Sequence, residues 1–244
     1  MIETPSNPLQ HISDIPALAD WARAHEVLFA VDNSFLSAWL QKPLTWGADI
    51  VVSSATKHLS GHADVTAGSI VTCCDNLAER LAFIQNATGS ALAPFPAWLL
   101  LRGIKTLGLR VEHQQKTAGQ IAQFLATHSA VQSVYYAGLL SHPGHDRHHQ
   151  QATGAGTVIS FTTDDCALSE RIVRHTQLFK TTVSFGSVSS TISLPCHMSH
   201  ASRAQGHKPT PDLVRLSVGI EDMEDLLLDL DRQLTCLRRF AIAS

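Results

Sequence analysis

Two short apolar runs constrain the fold of this chain more than any other feature. Residues 27–31 read VLFAV and end at Asp32 and Asn33, while residues 49–53 read DIVVS and open a run of small polar residues. A strand with one wet face alternates apolar and polar side chains, whereas a continuous apolar run needs cover on both faces, the pattern of a buried parallel strand. AGSIVT, residues 67–72, reads as a third strand. A helix is predicted ahead of them, with Ser13 or Asp14 as its cap and Pro16 in its first turn. Ile15, Leu18, Ala19 and Ala22 then recur at helical spacing up to about His25. The expectation is an α/β fold with a mostly parallel sheet.

From Pro96 to about His128 the periodicity is helical, and Gly103 and Gly108 inside it mark a bend or a close packing contact. Such a long element suits a link between domains. Strands are predicted beyond it at 131–136 (VQSVYY), 157–161 (TVISF) and 213–218 (LVRLSV), with helices near 167–177 and 222–239. That second half reads as a smaller α+β domain, so the chain is divided into 1–95 and 96–244. Its 244 residues suffice for one large or two modest cores.

Composition excludes several classes. A formal charge of −3 leaves no electrostatic footprint for nucleic acid or an anionic membrane surface. No stretch of apolar residues is long enough for a transmembrane helix. MIETPSNPLQ lacks the basic start and apolar middle of a signal peptide, and a cytoplasmic protein is expected. The cysteines, at 73, 74, 166, 196 and 236, are odd in number with no CxxC spacing, which fits free thiols in a reduced compartment. Several of the fourteen histidines fall in SHPGHDRHHQQ, residues 141–151; without an HExxH pattern this is expected to be a solvated loop and helix start, with no metal.

Chemistry concentrates at the ends of the two apolar runs. Asp32 follows the first, and the second leads into SSATKHLSGH, residues 53–62, where Ser53, Ser54, Thr56 and Ser60 surround Lys57. Ligands of open parallel sheets collect at the carboxyl ends of strands. A carboxylate and a lysine delivered there are either a structural ion pair or two fixed ends of one cofactor. Pyridoxal phosphate has both requirements, a lysine for its aldehyde and an aspartate to keep its ring nitrogen protonated. Its phosphate also needs hydroxyl and N–H donors, which Ser54 and Thr56 offer. Arg215, between apolar neighbours in LVRLSVG, is either a surface residue of an alternating strand or a bidentate partner for an amino acid's carboxylate.

At the level of motifs, ETPSNP (3–8), VDNSF (31–35), GADIVVSSATKHLSGHADVTAG (47–68) and VRLSVGIED (214–222) closely resemble the Cys/Met-metabolism, or trans-sulfuration, family of pyridoxal-phosphate enzymes. The resemblance implies the aspartate-aminotransferase-like fold type I, with residues 1–95 as the later part of the cofactor domain. It implies Lys57 as the coenzyme-bearing amine and general acid/base, and Asp32 on the ring nitrogen. Ser54 and Thr56 would then hold the phosphate, with Asn7 near the phenolic oxygen. Arg215, helped by Ser184, would hold the substrate carboxylate. Segments 83–110, 134–145 and 183–202 are most similar to the plant-type β-lyase branch, and Val183 stands where γ-synthases and γ-lyases often carry glutamate. A carbon–sulfur lyase acting on cystathionine or a related sulfur amino acid is implied, with γ-elimination, γ-replacement or an inert fragment as alternatives. Family members carry a long segment ahead of the ETPSNP motif. Here a homo-oligomer, a tetramer by family, or a partner chain supplying that part is expected.

Overall fold

The computed structural model describes residues 1–197 and 209–235. The chain forms two compact units, Met1–Val111 with Pro143–Ala155, and Glu112–His142 with Gly156–Ser244.

In the first unit β1 (Ile2–Glu3), β2 (Ala30–Asp32), β3 (Ile50–Ser54) and β4 (Gly68–Val71) lie side by side in that order. β1, β2 and β3 are parallel, with Glu3 opposite Asp32 and Asp32 opposite Val52. β4 runs antiparallel to β3 and so departs from the parallel pattern of its neighbours. The helix α1 (Ile15–Ala24) starts where Asp14 accepts a hydrogen bond from the Ala17 N–H, with Pro16 in its first turn. Its buried face, Ile15, Ala19 and Ala22, packs on Phe29, Val31 and Ala48. Each large side chain removed from water in this way contributes roughly 1.5–3 kcal/mol.

VLFAV is only partly strand. Glu26 adopts a positive φ of 54° after the helix, and Val27 and Leu28 are exposed at 48% and 58%. The return from α1 consumes the start of the run, and the strand begins at Ala30.

The connections are α2 (Ser37–Leu40), a 3₁₀ turn (Pro43–Trp46), α3 (Asp75–Thr88), α4 (Pro94–Ile104), α5 (Leu107–Thr127) and α6 (His145–Gln151). The predicted long helix is two helices, broken at Lys105 and Thr106. Its glycines mark contacts: a Cβ on Gly103 would lie 2.3 Å from the Ser60 carbonyl oxygen, and one on Gly108 would lie 2.6 Å from the Trp39 ring. α3 was not anticipated, although Leu77, Leu81 and Ile84 have helical spacing; none of its residues is buried. Ile70, Val71, Phe83, Phe95, Trp98 and Leu101 of this unit are likewise exposed.

The histidine run forms a turn and then α6, the loop and helix start expected, but it is not solvated throughout: His148 is fully buried with Nε2 2.9 Å from the Gly154 carbonyl. Gln151 closes this helix onto α1 by accepting from the Ile15 N–H and donating to the Ser13 carbonyl.

In the second unit β5 (Ser133–Tyr135), β6 (Val158–Thr162), β7 (Lys180–Thr181), β8 (Thr191–Ser193) and β9 (Val214–Ser217) form a sheet of order β5-β6-β9-β8-β7. Only the β7–β8 pair is parallel. The predicted helices appear as α7 (Cys166–His175), capped by Asp165, and α8 (Met223–Thr235). Residues 236–239 of the second predicted helix, and Cys236, lie outside the described residues. β7 and β8 are too short for a periodic signal. Cys73, Cys74, Cys166 and Cys196 are free thiols. Among the described residues no helix is long and apolar enough to cross a membrane.

Candidate active site

Three parallel strands end together, and the predicted residues lie at those ends. Asn7 is in the loop after β1, Asp32 is the last residue of β2, and Ser54 closes β3 with Thr56 and Lys57 in the turn that follows. That turn is built by short backbone bonds, from Lys57 N–H to Ser54 O (3.1 Å) and from Gly61 N–H to Lys57 O (2.8 Å). Gly61 has φ 72°, which only glycine adopts readily.

Ser34 joins two of these strand ends. Its N–H donates to Asp32 Oδ1 (2.9 Å), and its Oγ accepts from the Ser54 N–H (2.6 Å). Asp32 forms no ion pair among the described residues. A half-buried carboxylate with one oxygen already oriented suits a cationic ring nitrogen. The two hydroxyls differ. Thr56 Oγ1 accepts from the Ala67 N–H (2.9 Å) and donates to the Ala67 carbonyl (3.3 Å), tying the turn to the start of β4. Among the described residues the Ser54 hydroxyl has no such tie.

Behind the turn lie two residues that sequence reasoning missed. His58 is buried beside Lys57, and its pKa is pushed down to about 4. Burial is the main cause, reinforced by the Arg110 and Lys57 charges and opposed by a hydrogen bond to the Ser34 backbone. Arg110, from the first turn of α5, is 5% exposed and donates Nη2 to the His58 and Gly103 carbonyls (3.0 and 2.9 Å). Burial pushes its guanidinium below the ordinary value. The one sequence signal for Ser34 was its place in VDNSF, and for Arg110 its place at the end of segment 83–110.

In the second unit Arg215 is not a surface residue. It is 2% exposed, donates Nη2 to the Val183 carbonyl (2.7 Å) and lies 5.7 Å from the Phe185 ring centre. Its cross-strand partners are Ser160 and Ser193, whose small side chains leave room for a long one on that face. Ser184 follows the anchoring carbonyl, and its own carbonyl accepts from Thr191 Oγ1 (3.2 Å). Glu221 holds the adjacent loop, accepting from the Ser190 N–H and Oγ (2.7 and 2.8 Å). No group of three or more metal-ligating side chains occurs among the described residues.

The sequence profile of the family described as Cys/Met metabolism PLP-dependent enzyme matches residues 1–235. The chain belongs to this family. It is 54% identical over 240 residues to the chloroplastic cystathionine β-lyase of Mimosa pudica, covering 96% of this chain and 52% of that protein. Identity to the chloroplastic cystathionine β-lyase of Arabidopsis thaliana is 52% over 236 residues, covering 94% and 50%. Among solved structures, cystathionine γ-synthase from Xanthomonas oryzae pv. oryzae in complex with cystathionine superposes with a TM-score of 0.95 at 40% identity, covering 98% of this chain and 63% of that one. The chain spans about half the length of the curated relatives it matches. The fold is therefore that of part of a fold type I pyridoxal-phosphate enzyme.

Proposed function

We propose that this chain carries the lysine-bearing part of a pyridoxal-phosphate-dependent carbon–sulfur lyase of the cystathionine β-lyase type, which turns cystathionine into homocysteine, pyruvate and ammonia. The observation that carries it is the Asp32 carboxylate, free of any ion pair among the described residues, on the strand next to the one that delivers Lys57.

Bound pyridoxal phosphate would supply an electron sink for the carbanion left at the substrate's Cα. The chain's own residues do the rest. Lys57 anchors the coenzyme, and its Nζ takes the proton from Cα once the substrate is in place. Asp32 keeps the ring nitrogen protonated, with Ser34 fixing the carboxylate's orientation. Ser54 would hold the phosphate, joined by Thr56, whose hydroxyl here makes a long bond to the Ala67 carbonyl. Asn7 would lie near the phenolic oxygen. Arg215 binds the substrate carboxylate, oriented by its bond to the Val183 carbonyl and accompanied by Ser184. The assembly is a homo-oligomer, or a complex with a chain supplying the rest of the cofactor domain.

The second reading is γ-elimination or γ-replacement, favoured by the 40% identity to a γ-synthase. Product analysis with cystathionine and added pyridoxal phosphate separates them. Pyruvate with homocysteine is expected; 2-oxobutyrate with cysteine would establish γ-elimination instead. Absence of both would identify the chain as non-catalytic by itself.

A further inference from the structure

We infer that Arg110 is a positioning residue for Lys57, clamping the turn that carries the lysine onto the junction between α4 and α5. The inference rests on the proposed role of Lys57 as the coenzyme-bearing amine.

Arg110 uses three donors to join segments far apart in sequence. Nη2 bonds the carbonyl of His58, the residue next to the lysine, and at the same time the carbonyl of Gly103 near the end of α4. Nε donates to Thr106 Oγ1 (3.1 Å), which fixes the side chain's direction. The surroundings fit this path closely. A Cβ on Gly61 would lie 2.0 Å from Arg110 Nη1, and a Cβ on Gly103 would collide with the Ser60 carbonyl. Gly61 thus leaves room for the guanidinium, and Gly103 lets the turn approach α4.

The cost of such a residue indicates what it does. The guanidinium is buried, makes no ion pair among the described residues, and leaves Nη1 without a hydrogen-bond partner. A buried cation without a carboxylate is expensive, and a residue serving only to fill volume would do better as methionine or leucine. What the guanidinium provides and a hydrocarbon does not is a planar fork that fixes the His58 carbonyl, and with it the turn that carries Lys57 one residue earlier. Lysine in its place keeps the charge but cannot reproduce the geometry.

The test compares Arg110→Lys and Arg110→Met with wild type. Hydrogen exchange without coenzyme is followed in peptides covering 54–62 and, as a reference, α1 and β6. Coenzyme affinity is read from the visible absorbance of added pyridoxal phosphate. In both variants exchange is expected to rise about tenfold in 54–62 with little change in the reference peptides. Coenzyme affinity is expected to fall by about tenfold, with methionine no better than lysine. Unchanged exchange in 54–62, or an equal rise in every peptide, overturns the inference. Should either variant fail to fold, Thr106→Val removes the Nε acceptor together with the hydroxyl's own bond to the Gly103 carbonyl (3.2 Å), and a rise confined to 54–62 is again expected; no rise counts against the clamp. If wild type shows no coenzyme absorbance, the proposed function fails, while the exchange data still decide the role of Arg110.

Discussion

Acidification should loosen the first unit through His58, and the size of the effect follows from its burial. The imidazole sits at 1% exposure with its pKa pushed down to about 4, against 6.5 for the free side chain. Between those values the unfolded chain holds a proton that the folded chain does not. The stability linked to His58 is therefore fully present above about pH 6.5 and is lost as the pH falls toward about 4. Summed over the window from about pH 7.5 to about pH 4.5, the loss is about 2.5 kcal/mol. The assay is urea denaturation at a series of pH values, in wild type and in His58→Asn, which cannot titrate. Truncation lowers the variant's stability at every pH, but carboxylates and other histidines contribute equally to both proteins and cancel in the difference. Wild type should lose about 2.5 kcal/mol more than the variant across the window. Parallel curves would refute the reasoning, because His58 would then be no harder to protonate in the fold than in water.

Other consequences are more local. Ser34→Ala removes the acceptor of the Ser54 N–H, and a loss of about 1–2 kcal/mol is expected by urea denaturation, together with weaker coenzyme absorbance; unchanged values would deny Ser34 its linking role. Arg215→Lys keeps the charge but not the planar fork, and should raise the KM for cystathionine by about tenfold or more in whichever assembly is active. An unchanged KM would remove Arg215 from the substrate site. Ile70, Val71, Phe83, Phe95, Trp98 and Leu101 are exposed, so the chain by itself should enhance the fluorescence of an apolar dye and self-associate, as checked by sedimentation. A monomer without dye binding would contradict this.

The strand ends were legible because the apolar runs give way to polar residues at Asp32 and Ser53, although β2 and β3 alternate buried and half-buried positions and β3 continues to Ser54. Direction was not legible for β4, since an apolar run reads the same in either sense. The start of VLFAV was obscured because the end of α1, not hydrophobicity, decides where pairing with β3 can begin. Arg215 carried an ambiguous local signal, since arginine between apolar residues fits an exposed strand as well as a buried carboxylate site. Its burial depends on Ser160 and Ser193 on the flanking strands. Ser34 and Arg110 act through partners 20 and 52 positions away. Window-by-window periodicity has no access to such pairs, although the resemblance to the family did place Ser34 inside a motif and Arg110 at the end of segment 83–110.

The central claim is that Lys57 holds an aldehyde coenzyme covalently. Borohydride reduction in the presence of pyridoxal phosphate, followed by digestion and mass mapping, tests it directly. The account predicts that the reduced adduct lies on Lys57, and that Lys57→Ala abolishes it without lowering the melting temperature of the coenzyme-free chain. Label spread over exposed lysines such as Lys42 and Lys180, or undiminished in Lys57→Ala, would contradict it.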